Sequence, residues 1–225
     1  MCWNKEVSIV TYITVVVIVI ILYQRNVGSD RQLALFSLTF VTIQLLEFFA
    51  WLSIEKQNRN MNGLVTRLIL IALWAQPLIN SYLAYKYLKD DEENKSYKYI
   101  LTGFIIMFTI LFIYSIYMAT RSTKFSTKTG PNCHLVWKRG KGLDFMGDKL
   151  ILIYLAGLIV PLLFVENLKK GLVLIGVGLV LMIFARMMST QKEMGSWWCW
   201  VAFVFVIAAL IYKYPNCEKQ EEEKI

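Results

Sequence analysis

The stretch LALFSLTFVTIQLLEFFAWLSI, residues 33–54, decides the fold. It carries one charged side chain, Glu47, and as a helix rising 1.5 Å per residue it would reach about 33 Å. The hydrocarbon core of a bilayer is about 30 Å thick. In hydrocarbon each backbone polar group must find its partner within its own segment, so the stretch reads as a membrane-spanning helix. Six further apolar runs surround it, at 8–23, 63–88, 99–119, 150–166, 171–188 and 197–214. Polar segments such as QRNVGSDRQ, EKQNRNMN and KDDEENKSYK separate them. The pattern predicts an all-α protein, a polytopic integral membrane bundle of seven transmembrane helices. The helices form a single domain over 1–215, with a long loop at 120–149 and an acidic tail at 216–225. The alternating pattern of a membrane β-barrel is absent. The first run has no small-residue cleavage site after it and reads as a retained helix.

Composition agrees. Of 225 residues, 57% are hydrophobic, with a mean hydropathy of +0.51, which excludes an ordinary soluble domain. The net charge of +8 comes without any motif that reads bases, so nucleic acid is not an expected partner. The lysines and arginines belong at loop ends, against headgroups and water, and the expected partner is the lipid bilayer. With seven helices they divide 13 to 11 between the face carrying the N-terminus and the opposite face. That split leaves orientation open.

The same stretch carries the first candidate site. Gln44, Glu47 and Trp51 follow an i, i+3, i+7 spacing and share one helix face. Glu47 is the one carboxylate well inside a run, about 10 Å from the end nearer the N-terminal face. A buried carboxylate costs several kcal/mol unless it is paired or protonated, so Glu47 is a candidate for binding a small ligand, an ion or a proton. The alternative is a tie between helices. In the third run Gln76 and Asn80 are four apart, on either side of Pro77. Pro77 removes a backbone donor and predicts a kink, as does Pro161 in the fifth run. Gln44, Gln76 and Asn80 are the expected polar lining around Glu47. Arg67 points away from Gln76 and is expected to snorkel to the surface. Gly157, Gly171, Gly176 and Gly178 are expected at close helix contacts.

The N-terminal face gathers a second set of residues. His134, the single histidine, lies in the long loop as a candidate gate over the Glu47 site. Trp3, Trp51, Trp137 and Trp198 fall on this face, either as an aromatic belt or as residues that dock the loop. Cys2, Cys133 and Cys199 fall there too, and three readings stay open: a disulfide, a Cys3His zinc site with His134, or free thiols. Zinc is disfavoured because Cys133 and His134 are adjacent and no Cys-x-x-Cys pair is present, so no metal and no cofactor are expected.

A single histidine excludes multi-histidine zinc hydrolases and bis-histidine haem. The seventh run has no mid-span lysine for a retinal Schiff base, and neither Gly-x-Ser-x-Gly nor a phosphate-cradling glycine loop occurs. Whether the chain is an enzyme stays open, the reading leaning against it: a ligand, ion or proton binder or transporter comes first, a structural or assembly protein second and a membrane enzyme third.

Five short motifs occur in order: MCW at the start, QLLEFFAW, QP, HLVW and GSWWCW. Together they resemble a family of multi-pass membrane proteins of giant DNA viruses of protists and algae. The resemblance implies a multi-pass membrane fold and assigns no activity. The matching positions are Cys2, Trp3, Gln44, Glu47, Trp51, Gln76, Pro77, His134, Trp137, Ser196, Trp198 and Cys199.

Overall fold

The computed structural model describes residues 4–92, 94–121, 125–138, 148–164, 168–188, 190 and 193–211. Four long helices come first: α1 (Lys5–Arg25), α2 (Asp30–Glu55), α3 (Arg59–Tyr87) and α4 (Lys95–Arg121). All four are long and apolar enough to cross a membrane. Their ends are set locally. The Asn4 side chain accepts from the Val7 amide at 3.0 Å and starts α1; Asn26, at φ 50°, ends it with its amide on the Leu22 carbonyl. Asn58 starts α3 in the same way, accepting from the Met61 amide at 3.0 Å. The short connections make consecutive helices antiparallel neighbours, so Lys5 at the start of α1 reaches Glu55 at the end of α2 at 2.5 Å.

The rest of the chain builds on this frame. A hairpin of β1 (Ser126–Thr129) and β2 (Leu135–Lys138) follows α4, paired antiparallel from Ser126↔Lys138 to Thr129↔Leu135. It occupies part of the stretch expected to be a loop, and it is the departure from an all-α chain. Then come α5 (Asp148–Ile159), a 3-10 helix (Val160–Phe164), α6 (Leu168–Met188) and α7 (Met194–Ile211). The described structure is thus mainly helical, with seven α-helices, four of which meet the length and hydropathy of a membrane span. Helix α7 packs on α1, α2 and α6, and α5 packs on α3.

At the end of the bundle away from the hairpin, Arg25 holds Asp30 through two hydrogen bonds of 2.6 and 2.8 Å. The same guanidinium donates to the carbonyls of Leu210 and Ala209, which the end of α7 leaves without helical donors. Since α7 also meets the hairpin at its start, it runs antiparallel to α2.

The core is apolar but also holds polar groups, and the exterior is apolar as well. Gln44, Glu47, Gln76 and Asn80 are fully buried, while Ile106, Ile110 and Ile113 on α4 and Val180 and Ile183 on α6 face outward. Such an apolar exterior suits contact with lipid chains.

The prolines and glycines have separate roles. Helix α3 continues through Pro77, whereas α5 gives way at Pro161 to the 3-10 helix. Gly157 lies where α3, α4 and α5 meet: a Cβ there would overlap Phe108 and sit 2.6 Å from the Pro77 ring. A Cβ at Gly171 would overlap the Leu162 carbonyl. Among the described residues Gly176 and Gly178 have no neighbour within 4 Å at that position, so none of these supplies the close packing expected there.

Candidate functional site

Glu47 sits on the inner face of α2, in line with Ser37, Gln44 and Trp51, all buried. One turn earlier, Gln44 donates from Nε2 to Glu47 Oε2 at 3.2 Å. The Ser196 hydroxyl, in the first turn of α7, is a second hydrogen-bond partner of the Glu47 carboxyl. Glu47 Oε1 and Gln44 Oε1 are buried and have no hydrogen-bond partner among the described residues. The site is therefore a carboxyl held from two helices with one oxygen left over.

Ser196 owes its position to the turn before α7, and the hairpin holds that turn. Thr190 and Glu193 close it: the Thr190 hydroxyl donates to Glu193 Oε2 at 2.7 Å and its amide does so at 3.4 Å. The other side of the carboxylate takes the loop between β1 and β2. The Asn132 amide donates at 2.9 Å, the Asn132 side chain at 3.1 Å, and the His134 amide donates as well. Burial would raise the Glu193 pKa, but these donors outweigh it and hold the carboxyl below its ordinary value. Gly130 is required beneath it, because a Cβ there would overlap Glu193 Oε1. Trp137 lies over Gly195, whose Cβ position is 2.6 Å from the indole Cζ3.

The hairpin is also fastened to α3. Asn62 acts as a strand partner for Thr127, donating to its carbonyl at 3.0 Å and accepting from its amide at 2.8 Å. The same Asn62 amide donates to Ser53 Oγ at 2.9 Å, which joins the end of α2. Arg67 does not snorkel freely; its guanidinium lies 5.7 Å from the centre of the Phe125 ring.

His134 is buried in this assembly, and burial lowers its pKa below the ordinary value, partly offset by the Glu193 charge. Cys133 adopts a left-handed conformation, φ 59°, and is disulfide-bonded. That leaves neither a zinc thiolate nor a free thiol at this position. Cys2 and Trp3, and the side chains of Trp198 and Cys199, lie outside the described residues. Among the described residues no group of three His, Cys, Asp or Glu side chains is placed to hold a metal ion.

Gln76 and Asn80 belong to a different cluster. Gln76 donates to the Thr39 carbonyl of α2 at 3.3 Å and accepts from the Tyr154 hydroxyl of α5. Tyr154 in turn stacks edge-on against Trp74. Asn80 donates to the carbonyls of Gly157 and Leu158 at 3.2 and 2.9 Å. Pro161 has no N–H for the carbonyl four residues before it, which is that of Gly157. Asn80 thus replaces the donor that Pro161 lacks.

No family model matches the chain, and no solved structure does. It is similar to the uncharacterized protein R287 of Acanthamoeba polyphaga mimivirus, with 22% identity over 232 residues, covering 94% of this chain and 95% of that one. The chain therefore has a distant homologue of nearly equal extent in a giant virus.

Glu193, Tyr154 and the Arg25–Asp30 pair were not singled out in the sequence. The Thr190-x-x-Glu193 spacing before an apolar run was the available signal for the first. Tyr154, a lone hydroxyl-bearing ring in an aliphatic run, was the signal for the second. Nothing local marks Arg25, whose partners on α7 are about 185 residues away.

Proposed function

We propose that the chain is a seven-helix integral membrane protein that binds, and passes across the bilayer, a small ion or proton at Glu47. The observation that carries this is the fully buried Glu47 carboxyl at the α2–α7 contact, with Oε1 left without a partner among the described residues. Several features support seven spans. Helix α5 and the 3-10 helix together rise about 28 Å, α6 has 21 residues and α7 has 18. The antiparallel course of α7 relative to α2 agrees with an odd number of crossings. The giant-virus homologue and the order of the motifs support membership of the viral membrane protein family that the sequence resembles.

The Cys133 disulfide supports an orientation as well. Disulfides persist in oxidising compartments, which favours the hairpin and the start of α1 facing a non-cytosolic side.

The test is ion or proton flux into vesicles containing the full-length protein, with Glu47→Gln as the variant. Loss of flux in a variant that folds normally is the expected result; equal flux in both would refute the reading. A second reading, a structural or assembly protein, draws on the hairpin, which presents a rigid surface fastened to α3 and α7. It predicts that Glu47→Gln leaves assembly intact while Glu193→Ala, which loosens the hairpin, disrupts it.

A further inference from the structure

Ten residues before Glu47, on the same inner face of α2, Ser37 is buried and its hydroxyl has no hydrogen-bond partner among the described residues. Seven residues on, Gln44 Oε1 is in the same condition. Both side chains line one small cavity of ≈ 10 Å³ between α1, α2 and α7, with Thr11 as its third polar member. Its other walls are Val15, Phe40, Val41, Phe203 and Val206. Two buried polar groups without partners each carry a desolvation cost of about 1–3 kcal/mol unless something satisfies them. A cavity of about 10–15 Å³ is the smallest that admits a water molecule, and such a water needs two to four polar partners. The space is too small for a hydrated cation and too apolar to strip one.

We infer that the Thr11–Ser37–Gln44 cavity is a buried water site. One water donates to Gln44 Oε1 and to Ser37 Oγ, and Thr11 completes its surroundings. With Gln44 Oε1 committed to the water, its amide nitrogen faces Glu47 Oε2 and leaves Glu47 Oε1 for the ligand. Ser37 and Gln44 are then positioning residues for Glu47, an assignment that rests on the proposed binding role of Glu47. The water site itself does not depend on that role.

The experiment uses full-length protein in nanodiscs and infrared difference spectra in H2(16)O and H2(18)O. An isotope-sensitive band of an isolated bound water is expected in the native protein and in Glu47→Gln. Ser37→Val, which fills the cavity and removes the hydroxyl, is expected to abolish that band and weaken proton or Na+ binding at Glu47 about tenfold, the weight of roughly one buried hydrogen bond. Ser37→Ala, which keeps the space, retains a shifted band. Should Ser37→Val fail to fold, Thr11→Val carries the same expectation. Absence of the band in the native protein, or its persistence unchanged in a folded Ser37→Val or Thr11→Val protein, overturns the inference. A band that behaves as expected in a protein that binds no ion would instead sink the Glu47 reading and leave the water site standing.

Discussion

Two polar clusters lie inside the bundle, and they are finished to different degrees. Around Asn80, the donors meet acceptors that the fold itself has exposed: Asn80 covers the Gly157 and Leu158 carbonyls beside Pro161, and Gln76 joins Thr39 and Tyr154. Asn80 Oδ1 alone is left over among the described residues. Around Glu47, by contrast, three successive groups on one face of α2 keep an unpartnered atom: Ser37 Oγ, Gln44 Oε1 and Glu47 Oε1. The proposed water satisfies the first two, and Glu47 Oε1 is the atom that remains. The first cluster covers the carbonyls at a helix break; the second is where the proposed water and ligand sites lie.

The comparison can be broken most severely at its structural half. Replacing Gly157 with Leu forces a side chain into Phe108 and Pro77 and should cost about 3 kcal/mol or more, read as a collapse of the thermal melting temperature in detergent. Asn80→Leu leaves two carbonyls at the Pro161 break without donors. A loss of about 2 kcal/mol is expected, with ion binding at Glu47 unchanged once the protein is folded. If binding fell in step with stability, the two clusters would be one.

Glu193→Gln acts on the hairpin instead. It keeps the size of the side chain but loses the charge that gathers the Asn132, His134 and Thr190 donors, so hairpin docking should weaken by about 1–2 kcal/mol. Hydrogen exchange over residues 126–138 would report it, with α3 and α4 unaffected. Acid should produce the same release in two stages. The docked fold lowers the His134 pKa, so the undocked loop takes up that proton first and docking weakens as pH falls below about 6.5. Glu193 is also held below its ordinary value; its contribution is complete above about pH 4.3 and disappears as pH falls through the docked value. Exchange protection that rose on acidification would contradict both shifts. The smallest expected change in stability belongs to Glu47→Gln, at most about 1 kcal/mol, because the amide keeps the shape of the carboxyl and its oxygen can still accept from Gln44. A loss above about 2 kcal/mol would reclassify Glu47 as a tie.

Much of the bundle was legible in the sequence because spanning hydrocarbon is a local requirement. Each apolar run must satisfy its own backbone, so its length and its flanking charges announce it. The α2 spacing of Gln44, Glu47 and Trp51 announced one inner face for the same reason. Pro77 and Pro161 carry the same local signal, yet α5 gives way to a 3-10 helix at Pro161 while α3 stays helical through Pro77. The grouping of Gln76 and Asn80 with Glu47 was not legible. Helical spacing tells which residues share a face and says nothing about which helix lies opposite. Only the packing of α5 on α3 gives Asn80 to Pro161 and Gln76 to Tyr154, and only the return of α7 gives Ser196 to Glu47.

The stretch 33–54 by itself determined a helix of membrane-crossing length and apolarity with a carboxyl on one face, since both follow from hydropathy and a 3.6-residue period. The tertiary structure decided what that carboxyl meets. Its neighbours come from α7, and the turn that sets α7 is held by a hairpin some 60 residues earlier through Glu193. Contacts across such separations depend on how the helices pack together, and no local pattern along the chain encodes them.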